Sequence, residues 1–431
     1  MDQCQVERTM KSRPRPLFDT LQYVQEQYKQ CLSNNPHEII TAWLQQCFFD
    51  SELKLPVYAS KDYHHILNYL YSYRGSLDTF NSYRRELERL LQWCWLVYGK
   101  SVLQLKRLDI EEFIEFCQSP HKRWVGVKIV ARFVNKNGFR QPNATWRPFI
   151  VKISKKSFQD GERAEKENYE LSSDGIKQIF AILSSFYNYL IQEEISEINP
   201  VLQIRQKSKF VRTQQQSPMI RRLSDIQWNA VMQVAVSLAD QYPDKHERTL
   251  FIMNALYGMY LRISELAATK RWAPTMRDFF RDTNGHWWFK TVGKGNKMRQ
   301  IAVSPTMLAA LKRWRKHLGL PPLPSIDDQT PLIPKAIGKG SVESTRAIRN
   351  IAQTCFDKAV DNLLNGNKIE EAEMLRSATV HWLRHTGISD DVKVRPREHV
   401  RDDAGHSSGA ITDRYIDIEL QERAKSATRK K

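Results

Sequence analysis

The sequence predicts a mainly α protein with one small antiparallel β-sheet, an α+β chain. Three observations carry this. Apolar residues recur at helical spacing through most of the chain. Only Arg277–Ser304 alternates in the manner of strands, around an Asn284-Gly285 turn signal. At 431 residues the chain is long enough for two or three domains, each burying its own core.

Taken in order, residues 1 to 54 read as a helical extension. Pro14 and Pro16 precede FDTLQYVQEQYKQCL, and HEIITAWLQQCFF forms a second short helix. Neither carries evident chemistry. Residues 55–204 read as a helical domain. SKDYHHILNYLYSY and LDTFNSYRRELERLLQWCWLVYG are its first helices. On the second, Leu87, Leu90, Leu91, Trp95 and Leu96 share one face, and Arg84, Arg85 and Arg89 another. LDIEEFIEFCQ follows with Asp109 as its expected N-cap. SSDGIKQIFAILSSFYNYLIQEEI is ended by Asn199-Pro200. Inside this domain, residues 120–170 form a basic insertion with Trp124 and Trp146; an interface to a nucleic-acid backbone and a solvated surface loop both fit it.

Residues 205–217, RQKSKFVRTQQQS, are polar and basic and read as a linker. A second domain, 218–431, opens with Ser224 capping DIQWNAVMQVAVSLA. A buried helix over RTLFIMNALYGMYLRISELAAT breaks near Gly258 and resumes at Ser264. Three short strands follow, turning at Asn284-Gly285 and again at Gly293–Asn296, which puts Lys294 at a hairpin tip. PTMLAALKRWRKHLG, VESTRAIRNIAQTCFDKAVDNLL, ATVHWLRHTGISDD, RPREHVRDDAG and GAITDRYIDIELQERAKS supply the remaining helices.

The formal net charge is +18, which attracts polyanions, nucleic acid first among them. The six cysteines contain no CxxC pair, so neither a zinc knuckle nor a dithiol motif is written here, and their scatter fits a reducing, cytoplasmic setting. No signal-peptide h-region and no long apolar run appear, so no membrane partner is expected. The sequence has no GxxxxGK[ST] loop, so no nucleotide cofactor is expected.

The chemistry concentrates late. Arg262 lies in LRISEL, His381 and Arg384 in HWLRH, and His406 in AGHSS, nine residues before Tyr415. Arginine forks neutralise the non-bridging oxygens of a phosphodiester, and fixed cations there stabilise the charge that builds up during transfer. Histidine hydrogen-bonds the same oxygens and exchanges protons near neutrality. A phenol is a weak nucleophile until cations and a base stand beside it. Tyr415 is the only tyrosine after Tyr260. His381 and His385 stand four apart, as in HExxH metalloproteases, but Trp382 occupies the place of the basic glutamate, so no metal is expected. His385 reads as structural. Glu265, three residues after Arg262, is either a carboxylate steadying that guanidinium or a solvent-exposed residue.

This ordered set resembles the catalytic signature of the tyrosine recombinases, the phage-integrase family. The likeness runs from about 58 to 420. The first 54 residues and the 120–170 insertion fall outside it. The RRELERLLQWC and SSFYNYLIQEEISEINPV helices resemble the family's SAM-like core-binding domain, which precedes its catalytic domain. The resemblance implies Arg262, Lys294, His381, Arg384, His406 and Tyr415 as catalytic residues, with Glu265 in support. Lys294 would donate a proton to the leaving oxygen, although Lys297 competes for that role. It further implies double-stranded DNA as partner, a homo-tetramer on two DNA sites, a 3′-phosphotyrosyl intermediate, no cofactor, and the last segment, IELQERAKSATRKK, docking on a neighbouring subunit. A mobile element would be integrated or excised. A type IB topoisomerase-like nicking-closing protein and a non-catalytic DNA-binding regulator are the alternatives.

Overall fold

A computed structural model describes residues 13–48, 54–136, 138–204, 210, 221–269, 272–406, 408–413 and 415, with the side chains of Lys294 and Ala410 left aside. The chain divides into two compact units, Met1–Gln215 and Gln216–Lys431. Apart from Phe210, the expected linker at 205–217 lies outside the described residues.

The first unit is built on α1 (Leu21–Ser33), α2 (Pro36–Cys47), α3 (Ala59–Ser72), α4 (Leu77–Trp93), α5 (Arg107–Gln118), α6 (Lys155–Gln159) and α7 (Ser173–Gln192). One apolar core joins all but α6, running from Leu17 and Phe18 through Leu87, Leu90 and Leu91 of α4 to Phe186 of α7. Asp109 does not cap α5 as expected. It occupies the third helical position, where its carboxylate accepts from the Lys106 amide at 2.7 Å and closes a capping box.

The 120–170 segment is more structured than a loop. β1 (Val125–Gly126) pairs in parallel with β4 (Phe149–Ile150), and β2 (Phe133–Lys136) pairs antiparallel with β3 (Phe139–Pro142). Two- to four-residue strands leave no alternation long enough to read from sequence. Trp124 and Phe149 are buried in the core. Arginines staple the segment to the rest of the unit. Arg89 stacks over Phe149 at 4.5 Å and donates to the Pro148 carbonyl at 3.0 Å. Arg132 pairs with buried Glu88, which also accepts from the amides of Leu17 and Phe18. Arg140 forks onto Asp19 at 2.6 and 3.0 Å.

The second unit contains α8 (Asp225–Gln241), α9 (Pro243–Gly258), α10 (Ile263–Leu266), α11 (Pro305–His317), α12 (Thr345–Asn365), α13 (Ile369–Arg376), α14 (Val380–Asp391), α15 (Arg397–Ala404) and α16 (Gly409–Asp413). Its sheet is β5 (Phe279–Arg281), β6 (Trp287–Val292) and β7 (Met298–Ala302), antiparallel in sequence order. The mainly helical architecture with one small antiparallel sheet here is the expected one, supplemented by the short strand pairs of the first unit. Ser224 caps α8 in a capping box with Gln227. Residues 416–431, expected to extend the last helix and to dock on a neighbour, lie outside the described residues.

Two packing details position the second unit's polar centre. The break between α9 and α10 turns at Tyr260, whose φ of 49° is left-handed. Buried Arg384 donates to the Tyr260 carbonyl and, at 2.5 Å, to the Ala404 carbonyl, so one guanidinium ties the break to the end of α15. Gly387 lets α14 lie directly on α9, since a Cβ there would come within 2.2 Å of the Tyr257 carbonyl oxygen. Gly387→Ala gains about 1 kcal/mol of helix propensity. It loses more, because the obstacle is backbone and overpacking costs about 1–3 kcal/mol and sometimes above. The expected outcome is a net loss of about 2 kcal/mol in denaturant unfolding. Unchanged or increased stability would show that α14 does not depend on this approach.

Candidate active site

The centre begins with a carboxylate. Arg262 precedes α10, and Glu265 sits at that helix's third position, 1 % exposed. Glu265 accepts from the Arg262 amide at 2.8 Å and from its Nη1 at 3.1 Å. It also receives both terminal nitrogens of Arg299, at 2.6 and 2.9 Å. A bidentate fork of this kind fixes direction as well as charge. Glu265 is therefore a buried bridge between two guanidinium groups, and the solvent-exposed alternative is excluded.

α14 delivers Arg384, His381 and His385 together. The rings of His381 and His385 meet edge to face at 4.4 Å, as their four-residue spacing on a helix requires. α15 ends at Gly405, φ 64°, where a Cβ would come within 2.9 Å of Arg299 Cδ. That left-handed turn, natural to glycine, swings His406 back. His406 engages the Thr412 hydroxyl through Nδ1 at 2.9 Å and stacks on Tyr415 at 5.8 Å and 17°. Tyr415 is 7 % exposed, and its hydroxyl lies 2.5 Å from His385 Nδ1. The structure thus brings together Arg262, Glu265, His381, Arg384, His406 and Tyr415. Lys294 opens the turn Lys294–Asn296 between β6 and β7, and its side chain lies outside what is described. Lys297, its rival, is exposed on the same turn.

Crowded cations and burial set the protonation states. Burial, with Arg262 and Arg299 nearby, pushes the Arg384 guanidinium down to about 9, so it stays charged at neutral pH. His381 is exposed, yet the surrounding protein and then Arg384 and Arg262 lower it. Burial first, then His381, Arg384 and His406, pushes His385 down to about 4. Burial first, then Arg384, Arg262 and Arg299, pushes His406 down to about 4. Both rings are neutral at pH 7 in the free protein. Among the described residues no group of three or more His, Cys, Asp or Glu is placed to hold a metal ion. Among the same residues no helix is long and apolar enough to cross a membrane.

Comparison with known proteins points one way. No family model matches the chain. Tyrosine recombinase XerC of Alcanivorax borkumensis is 22% identical over 250 residues, which cover 58% of this chain and 71% of that protein. The crystal structure of the site-specific recombinase XerH bound to its palindromic difH substrate, a post-cleavage complex, superposes with a TM-score of 0.53 at 14% identity, covering 97% of this chain and 99% of that one. The chain shares its fold with this recombinase structure.

Two residues of this centre are not evident from their local sequence. Arg299 shares a β7 face with buried Ile301 and is itself nearly enclosed. Strand periodicity carried that signal. His385 was read as structural and instead touches the tyrosine hydroxyl.

The depressed histidines make a stability prediction. Between about pH 6.5 and 4 the unfolded chain protonates His385 and His406 while the folded chain resists. The unfolded state then binds more protons, so stability falls as pH drops through that window. A His385→Asn, His406→Asn double variant should lose less melting temperature between pH 7 and pH 5 than the parent. Equal losses would mean that these rings are not held neutral.

Proposed function

We propose that the chain is a site-specific tyrosine recombinase, or integrase, that cuts and rejoins double-stranded DNA through Tyr415. The observation that carries this reading is the buried Tyr415 hydroxyl held against His385, beneath His406 and beside a guanidinium group tied to the same scaffold. XerC and XerH are themselves described as recombinases, XerH bound to its difH substrate.

Arg262 and Arg384 neutralise the scissile phosphate, with His381 and His406 on its non-bridging oxygens. Glu265 and Arg299 hold Arg262 in place. Tyr415 attacks phosphorus, forming a 3′-phosphotyrosyl link and releasing the 5′ oxygen, which Lys294 protonates. The partner strand's 5′ hydroxyl reverses the step, so phosphodiester energy is conserved in the protein link. A homo-tetramer on two sites, with the last segment reaching a neighbour, suits the exchange of four strands. Integration or excision of a mobile element is the setting we assign. Between Glu115 and Asp160 lie ten Lys and Arg and no acidic residue, and Lys128, Lys136, Lys152 and Lys156 are exposed. That surface supports contact with the DNA backbone by the first unit.

Tyr415→Phe removes a single oxygen. It should abolish the denaturant-resistant adduct on a nicked suicide duplex while leaving specific binding intact. An adduct formed by the variant would refute the assignment. An adduct without joint product in the parent would favour a nicking-closing enzyme, and no adduct at all would favour a regulator.

Lys294→Ala should slow cleavage of ordinary DNA by about 100-fold or more, the usual worth of a general acid. A 5′-bridging sulfur at the scissile position leaves without a proton and should erase most of that loss in single-turnover cleavage. Rescue of Lys297→Ala in its place would transfer the role to Lys297.

A further inference from the structure

We propose that His385 is the catalytic base that takes the proton from Tyr415. This rests on the reading of Tyr415 as nucleophile and goes beyond it, since the signature motif assigns proton chemistry to His381. The geometry is direct. His385 Nδ1 stands 2.5 Å from the Tyr415 hydroxyl oxygen, within the reach a general base needs. The two rings lie 5.5 Å apart at 34°, with the imidazole edge turned to the phenol oxygen. For Nδ1 to accept, the ring must be neutral with its proton on Nε2.

The surroundings keep it so. Of the charged and titratable groups that act on His385, His381 and Arg384 come from α14 itself and His406 from the turn after α15, and each disfavours a second proton on the ring. Among the described residues Tyr415 joins them. Glu265, the carboxylate of this centre, is committed to Arg262 and Arg299. His406 is less suited to act as base, because its Nδ1 already engages Thr412 and its ring lies flat against the phenol, turning a face to it. His381 meets His385 edge to face and is exposed, a position fit for the phosphate.

The step balances. The Tyr415 O–H bond breaks and its proton passes to His385 Nδ1. The freed oxygen pair forms the O–P bond, the P–O5′ bond breaks, and the 5′ oxygen takes a proton from Lys294. In rejoining, the incoming 5′ hydroxyl gives its proton to Lys294 and its oxygen forms the new P–O5′ bond, the O–P bond to Tyr415 breaks, and His385 returns its proton to the phenol oxygen. Bound phosphodiester, by placing negative charge beside the imidazolium, stabilises the protonated ring in the covalent state.

The test replaces Tyr415 with tetrafluorotyrosine, whose phenol is ionised at neutral pH and needs no base. With natural Tyr415, His385→Ala should slow single-turnover cleavage by about 100-fold or more while sparing specific DNA binding. With the fluorinated phenol the same substitution should cost less than about 10-fold. His381→Ala should cost the same with either phenol, since a phosphate ligand is needed in both. His385→Asn, which preserves bulk and polarity, repeats the measurement should the alanine variant not fold. An undiminished His385 defect with the fluorinated phenol, no defect with the natural one, or rescue of His381→Ala would overturn the proposal. If Tyr415→Phe is inactive and the rescue is missing, only the base assignment fails. If Tyr415→Phe still forms the adduct, the nucleophile assignment fails with it.

Discussion

A single buried carboxylate among several cations sets the terms for the second unit. Glu265 bridges Arg262 and Arg299, while Arg384 is buried close enough to feel both. Two like charges about 4 Å apart repel by roughly 4 kcal/mol at an effective dielectric of 20. One carboxylate cannot offset three guanidinium groups, so the centre carries excess positive charge that an anion would relieve. Burial first, and then this excess of cations, holds three neighbouring histidines below their ordinary range. On the proposed reading a phosphodiester would supply the missing charge beside the phenol oxygen, the electrostatic preorganisation that transfer requires.

The scaffold around this centre is polar as well as apolar. Arg384 spends two nitrogens on backbone carbonyls of Tyr260 and Ala404, which fixes the α9–α10 break against the end of α15. Arg395 donates to the Tyr260 hydroxyl at 3.0 Å, to Asp391 at 3.1 Å and to Asp403 at 2.6 Å, and Asp403 accepts from the Ala302 amide of β7 at 3.2 Å. Tyr260, in its left-handed turn, is thus held at both ends. The loop that carries His406 leaves a helix clamped to the sheet, so the geometry of this centre is fixed by elements distant in sequence. Networks of this kind are satisfied as a whole or become costly as a whole.

Much of this was legible beforehand. Helical periodicity, the Ser224 cap and the Asn284-Gly285 turn located the main elements, because those signals are local. The residue types at 262, 265, 381, 384, 406 and 415 pointed to one polar centre, and the fold brings these six residues together. What stayed hidden depends on tertiary contact. Strand spacing puts Arg299 on the face of buried Ile301, but what the cation pairs with stays hidden until Glu265 is known to lie opposite. His385 looks like helix packing until the chain returns thirty residues later with Tyr415. Arg84 and Arg89 share a face of α4, but nothing local in the sequence announces that the Asp19 and Pro148 carbonyls will cover it. The strands of the insertion are too short for periodicity to exist.

The central claim is that Tyr415 is the atom donor of the covalent link. Peptide mapping tests it most directly. A trapped protein–DNA adduct is digested with protease and nuclease, and the residual nucleotide is located by mass spectrometry. The account predicts a 3′-linked nucleotide on the peptide containing Tyr415 and on no other. A nucleotide on another tyrosine, on serine or cysteine, or an adduct linked through the 5′ end, would contradict it.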